Sequence, residues 1–188
     1  MEVIWGNFYA GEPEYLPHSF PPTMVKPVLI TSFFNTNFMA DLNTGISQTV
    51  IIHILNNTPI EWYSKSQSCV KTSTYGSEYA TARICTDHIV DLCNTLRYIS
   101  VLLQIFNGTD SSFIFGDNFL VSNSTFMPAG KLQRRFHILN CHLTREAQEE
   151  VIIKFVHMNG NDNTADIVTK SQAYNTWFPL MKPLIFWH

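Results

Sequence analysis

Three carboxylates, Glu78, Asp117 and Asp166, stand where hard-cation chemistry can use them. Glu78 falls in the opening turns of a long amphipathic stretch. Asp117 directly follows a short apolar run, and Asp166 opens a short helical stretch near the end of the chain. Carboxylates at strand ends and helix starts, converging at one edge of a sheet, suit Mg²⁺, which takes oxygen ligands and keeps several waters. Two such ions about 3.5–4 Å apart clamp the attacking and leaving oxygens of a phosphodiester displacement. Each residue also has a plainer reading. Glu78 and Asp166 near helix starts favour the positive end of the macrodipole, and Asp117 within Gly116-Asp117-Asn118 suits a turn or a cap. Glu78 is set apart by its phase, for it shares the stripe Ala82, Cys85, Ile89, Leu92, Cys93, Leu96 and Ile99. Its carboxylate therefore faces the body of the protein, where an ion needs a partner.

The elements that must position these groups follow from residue periodicity. Val28 to Phe34, Gln48 to Leu55 and Pro59 to Ser64 are strands by β-branched and aromatic content, joined by turns at Asn43-Thr44-Gly45 and Asn56-Asn57. The helix spans roughly Ser73 to Ser100. After a polar loop at Asn107 to Asp110, Phe113-Ile114-Phe115 forms a buried strand, and a short helix covers Asn118 to Asn123. Beyond Pro128 and Gly130 comes a second amphipathic helix with the stripe Leu132, Phe136, Leu139, Leu143 and Ala147. Val151 to Val156 is the last strand, and Asn163 or Thr164 caps the helix that contains Asp166. A meander followed by β-α-β units gives an α/β fold with one mixed five-stranded sheet and helices on its faces.

With 188 residues, 45% hydrophobic and 14% charged, the chain suits one well-buried domain with extensions. The expected boundaries are an extended proline- and aromatic-rich lead-in over residues 1–26, the domain over 27–171 and an aromatic tail over 172–188. A net charge of −3 puts any nucleic-acid surface on a local patch rather than on the whole molecule. Lys131, Arg135, His142 and Arg145 fall away from the apolar stripe of the second helix and make the concentrated basic face; Lys131, Arg134, Arg135 and Arg145 are its candidates for nucleic-acid contact, and they also read as a solvated helix surface. Cys69, Cys85, Cys93 and Cys141 lack C-x-x-C spacing, and two lie on the apolar stripe, favouring free thiols in a reducing compartment. Neither a secretion signal nor a membrane span is expected, so the location is intracellular, cytoplasmic or nuclear.

Five segments, in this order, resemble the successive motifs of the ribonuclease H domain at the C-terminal end of copia-type LTR retrotransposon Pol polyproteins. They are Trp62-Tyr63-Ser64-Lys65-Ser66-Gln67, Thr74-Tyr75-Gly76-Ser77-Glu78-Tyr79, Phe115-Gly116-Asp117-Asn118, His142-Leu143-Thr144-Arg145-Glu146 and Ala165-Asp166-Ile167-Val168-Thr169-Lys170. The resemblance implies the same mixed sheet and hydrolysis of the RNA strand of RNA–DNA hybrids with two Mg²⁺ or Mn²⁺ ions. It places Glu78, Asp117 and Asp166 on three of the four metal-binding carboxylates. It also makes Lys131, Arg134, Arg135, Arg145, Lys65 and Gln67 the candidates for contact with the hybrid.

The fourth carboxylate belongs at the end of the first strand, where this chain reads Phe34-Asn35-Thr36-Asn37. Asn35 thus replaces the Asp that bridges both metals in the family, and an amide offers one neutral oxygen where a carboxylate offers two anionic ones. Asp41 lies beyond the expected strand and is not a substitute. Gln133 and Phe136 stand where the family helix often carries histidines, and His157 lies on the last strand rather than in the following loop. The lead-in carries no reverse transcriptase. The expectation is a separated fragment with weakened metal binding and poor cleavage, its reverse transcriptase supplied, if at all, by another chain. The alternatives are an inactive hybrid-binding module and a transposon relic without a role.

Overall fold

A computed structural model describes residues 29–56, 58–103, 111–119, 121, 135–169 and 173–185. The lead-in, Lys131 and Arg134 lie outside these residues, as do the whole polar loop at Asn107 to Asp110 and half of the short helix expected over Asn118 to Asn123.

Strand β1 spans Ile30–Asp41, β2 Ile46–Leu55 and β3 Thr58–Ser66, forming the expected antiparallel meander. Helix α1, Thr74–Leu103, then returns the chain to β4, Ser112–Gly116, which pairs parallel with β1. Helix α2, Arg135–Glu149, leads to β5, Ile153–His157, parallel to β4. The sheet is five-stranded and mixed, in the order β3-β2-β1-β4-β5. A single 3₁₀ turn, Gly160–Asp162, precedes the short α3, Asp166–Thr169.

Helix α1 begins where Ser73 Oγ accepts the Gly76 N–H at 3.2 Å, satisfying one of the otherwise orphaned donors of the first turn. Its stripe packs as the period requires. Ala82, Cys85, Ile89 and Cys93 are buried against Phe34, Ile51 and Ile114, with Leu92 and Leu96 at the margin, while Ile99 is exposed. Tyr79 is fully enclosed beside Glu78. Cys69, Cys85 and Cys93 are free, and burial pushes the Cys85 thiol far up from its ordinary pKa.

Two expectations need correction. In the second amphipathic helix Ala147 is buried as its stripe requires, but Leu143 is 44% exposed, while Thr144 and Arg145 are buried. The helix packs against α1, and Arg145, being buried, leaves the open basic face. Strand β1 runs on through Asp41, past a register shift, instead of ending at Phe34. No element was expected in the aromatic tail, where α4 spans Tyr174–Ile185, with Tyr174 stacked on Phe178 one turn away at 5.2 Å.

Candidate active site and nucleic-acid interface

The two parallel pairings bring the ends of β1, β4 and β5 together. Phe33 lies opposite Phe115, so Asn35 and Asp117 are each two residues further along adjacent strands. Gly116 allows this approach, because a Cβ there would lie 2.4 Å from Cζ of Phe34. The loop after β5 closes on the same spot. A Cβ on Gly160 would lie 3.3 Å from Asp117 Oδ2, and His157 Nε2–H donates to the Asp117 carbonyl at 3.1 Å. His157 therefore holds the backbone of the carboxylate residue.

Asp166 is delivered by the next loop. Asn163 Nδ2 donates to the Phe34 carbonyl at 3.0 Å, while its Oδ1 accepts the Ala165 N–H at 3.1 Å. One side chain thus fastens the start of α3 to the strand residue preceding Asn35. Asn37 adds a second tie, donating to the Thr169 carbonyl at 3.1 Å. On the other side, Thr36 Oγ1 lies 2.6 Å from Thr81 Oγ1 and donates to the Ser77 carbonyl at 3.5 Å. The α1 turn carrying Glu78 is thereby joined to the residue following Asn35.

Asn35, Glu78 and Asp166 are all buried, and Asp117 is half-buried. The Asn35 amide is oriented by every partner it has. Its Oδ1 accepts the Thr36 N–H at 2.7 Å, and its Nδ2 donates to Asp166 Oδ1 and to Thr169 Oγ1, the latter at 3.2 Å. A hydrogen-bond donor, not an oxygen, therefore faces the Asp166 carboxylate. Glu78, Asp117 and Asp166 are not gathered so tightly that their oxygens all lie within 4.8 Å of one another.

Asp41 serves its own turn, accepting from Thr44 Oγ1 at 2.7 Å and from the Asn43 N–H at 2.9 Å. These hydrogen bonds, that of Thr44 foremost, hold its carboxyl below the usual carboxylate range.

The expected hybrid contacts are rearranged. Gln67 is buried and donates to Thr49 Oγ1, the Ser77 carbonyl and Thr81 Oγ1 at 3.0–3.2 Å. Its amide is spent on linking β2 to α1, which takes it out of the open surface. Arg145 is buried as well. Arg135 opens α2, and its side chain lies outside the described residues. Lys65 is exposed, and with Lys71 and Arg83 it lines a cleft floored by Thr49 and Tyr63. This grouping joins β3, the following loop and α1, so no single-helix pattern could reveal it. Asn163 and Thr36 were likewise missed; the only signal for Asn163 was its place as a candidate cap.

No protein-family model matches the chain. It is 25% identical over 169 residues to the retrovirus-related Pol polyprotein from transposon RE2 of Arabidopsis thaliana, covering 87% of this chain and 11% of that protein. The Pol polyprotein from transposon RE1 of the same plant is also 25% identical, over 144 residues, 74% of this chain and 9% of the relative. The chain thus spans about a tenth of the length of these curated relatives. Among solved structures, the N-terminal RNase H domain of a Mycobacterium tuberculosis protein, solved as a fusion with maltose-binding protein, superposes with a TM-score of 0.53. It is 14% identical, and the match covers 82% of this chain and 97% of that one. The sequence is thus similar to part of retrotransposon Pol polyproteins, and the fold is that of a solved ribonuclease H domain.

Proposed function

We propose that this chain is the ribonuclease H-like region of a copia-type Pol, of a lineage that hydrolyses RNA in RNA–DNA hybrids with two metal ions, and that Asn35 impairs its cleavage. The observation carrying this reading is the amide of Asn35 donating to Asp166. Glu78, Asp117 and Asp166 offer the hard oxygens that Mg²⁺ or Mn²⁺ prefers. Asn35 does not fit the pair: a cation bridging it to Asp166 needs oxygen on both sides, and here an N–H fills one side. Turning the amide over would strip the Thr36 N–H of its acceptor and set the Asn35 oxygen against the Asp166 carboxylate. In a complete site the ions activate water and stabilise charge on the phosphate. With the bridging position filled by an amide, no hydrolytic step is assigned to this chain as it stands.

Binding of the hybrid is a separable property. Lys65, Lys71 and Arg83 lining one cleft support contact with a phosphate backbone, which attracts cations whatever its base sequence. The same observations favour a second reading, a hybrid-binding module that has lost its chemistry and works with a reverse transcriptase on another chain.

The test is a labelled RNA–DNA hybrid incubated with the wild-type chain in Mg²⁺ and then in Mn²⁺. The hybrid is expected to be retained in a gel-shift assay and recovered uncut. Lys65→Ala should weaken retention and lower the log–log salt slope by about one. Efficient cutting by the wild-type chain would overturn the impairment, and an unchanged affinity for Lys65→Ala would remove the cleft from the interface.

A further inference from the structure

A second group of ligating side chains lies on the sheet, formed by β2, β3 and α1. His53 and Glu61 face each other across the antiparallel pair, and His88 comes from the helix above. One donor atom from each lies within 4.8 Å of the other two, and among the described residues this is the set with that property.

We propose that His53, His88 and Glu61 bind one transition-metal dication of the zinc type. Two independent observations point to a ligand. His53 Nε2 and His88 Nδ1 are both buried without a hydrogen-bond partner, and His53 is fully enclosed. Buried imidazole nitrogens are normally satisfied, because an orphaned polar atom retains its full desolvation cost. Here the two orphaned atoms belong to side chains whose ligating atoms lie within 4.8 Å of one another, and a single cation would satisfy both.

The surroundings are those of a metal-ligating histidine. His53 Nδ1 lies 2.7 Å from Ser32 Oγ on β1. With Nδ1–H donating to that hydroxyl, Nε2 is left as a lone pair, the outer-sphere arrangement that fixes a ligating tautomer. The Tyr63 ring meets His88 edge to face, with centroids 4.9 Å apart, and limits its rotation. Register supplies the third ligand. The irregularity between His53 and Ile54 leaves Ile60 unpaired and sets Glu61 opposite His53.

The donor set decides the class of ion. Two imidazoles and one carboxylate suit Zn²⁺, Co²⁺ or Ni²⁺, whereas Mg²⁺ and Ca²⁺ seek oxygen. Zn–N and Zn–O bonds of about 2.0–2.2 Å hold ligating atoms within about 4.4 Å of one another, and the exposed Glu61 side chain can rotate to meet that spacing. Glu61 is exposed, which gives the ion a path in from solvent and leaves its fourth position to water. The site differs in place and in ligand chemistry from Glu78, Asp117 and Asp166. Bound metal would pin α1 to the β2–β3 hairpin.

The experiment is equilibrium dialysis of the full chain against Zn²⁺ in millimolar Mg²⁺, with Co²⁺ absorption reporting coordination geometry and thermal melting run in parallel. The wild-type chain is expected to bind one Zn²⁺, to give a four-coordinate Co²⁺ spectrum and to melt at a higher temperature with metal. Glu61→Gln, on the surface, should weaken binding roughly tenfold or more while leaving the metal-free melt unchanged. His88→Gln should abolish the Co²⁺ bands. Binding that survives both substitutions, or that vanishes instead with Cys69→Ser, would overturn the proposal. So would a wild-type chain that takes up no more zinc than the Glu61→Gln, His88→Gln double variant.

Discussion

At the scale of single residues, the Asn35 amide and the Asp166 carboxylate satisfy each other directly. A carboxylate at position 35 would face the buried Asp166 carboxylate, and like charges at such separation disfavour ionisation of both. The amide removes one charge and supplies a donor to the other. Asn35→Asp should therefore destabilise the domain by about 1–3 kcal/mol in chelator, through a lost hydrogen bond and charge repulsion. Thermal melts should show that loss recovered in Mg²⁺ for the variant alone; a variant as stable as the parent in chelator would contradict the account. His53 gives a second residue-scale prediction. Burial first, and the neighbouring His88 second, lower its pKa from 6.5 to about 4. Between those values the unfolded chain holds the proton and the folded chain does not. Its contribution is thus complete above pH 6.5 and is lost as the pH falls towards 4. Denaturant titrations in chelator should lose up to about 1.4 kcal/mol per pH unit across that window from this group, and a flat profile would show that His53 charges freely in the folded state.

At the scale of elements, the meander and α1 were legible because periods of two and 3.6 are local properties. Ser73, the stripe from Ala82 to Leu96 and the apolar β4 announce themselves within one window of sequence. Helix α2 was legible in existence and only partly in phase: Ala147 is buried as predicted, but Thr144 and Arg145 are buried in the packed molecule despite their polarity. Helix α4 was not legible because its sequence contains Pro179 and Pro183. Prolines are strong helix breakers, and they obscured the spacing of Tyr174, Trp177 and Phe178. The end of α2 also stores strain. Val151 sits at φ +60°, with Ile152 N–H donating to the Ala147 carbonyl in the closing turn, a position where glycine is usual. Val151 is exposed and loses little packing on truncation. Val151→Gly should therefore stabilise the domain by about 1 kcal/mol, read as a raised Tm; a lowered Tm would mean that the left-handed turn costs the valine nothing.

For the whole molecule, the candidate site is made of long-range ties that no window of sequence contains. Asn163 reaches Phe34 across 129 residues, and Asn35 reaches Asp166 across 131. Sequence reasoning named Glu78, Asp117 and Asp166 and flagged Asn35 against a family pattern. It could not foresee which way the Asn35 amide turns, nor that Gln67 is consumed inside the protein. It also could not assemble Lys65, Lys71 and Arg83 into one cleft, or His53, Glu61 and His88 into one cluster, since each draws on elements remote in the chain. Among the described residues no helix is long and apolar enough to cross a membrane. On the proposed reading scaffold and chemistry are separable: one amide would silence the site while the ties that shape it persist. The most direct test is cleavage of an RNA–DNA hybrid in Mg²⁺ by Asn35→Asp beside the wild-type chain. The account predicts cutting of the RNA strand by the variant and little or none by the parent. Equal cutting by the two, or none by a folded variant that binds the hybrid, would contradict the assignment of the silence to Asn35.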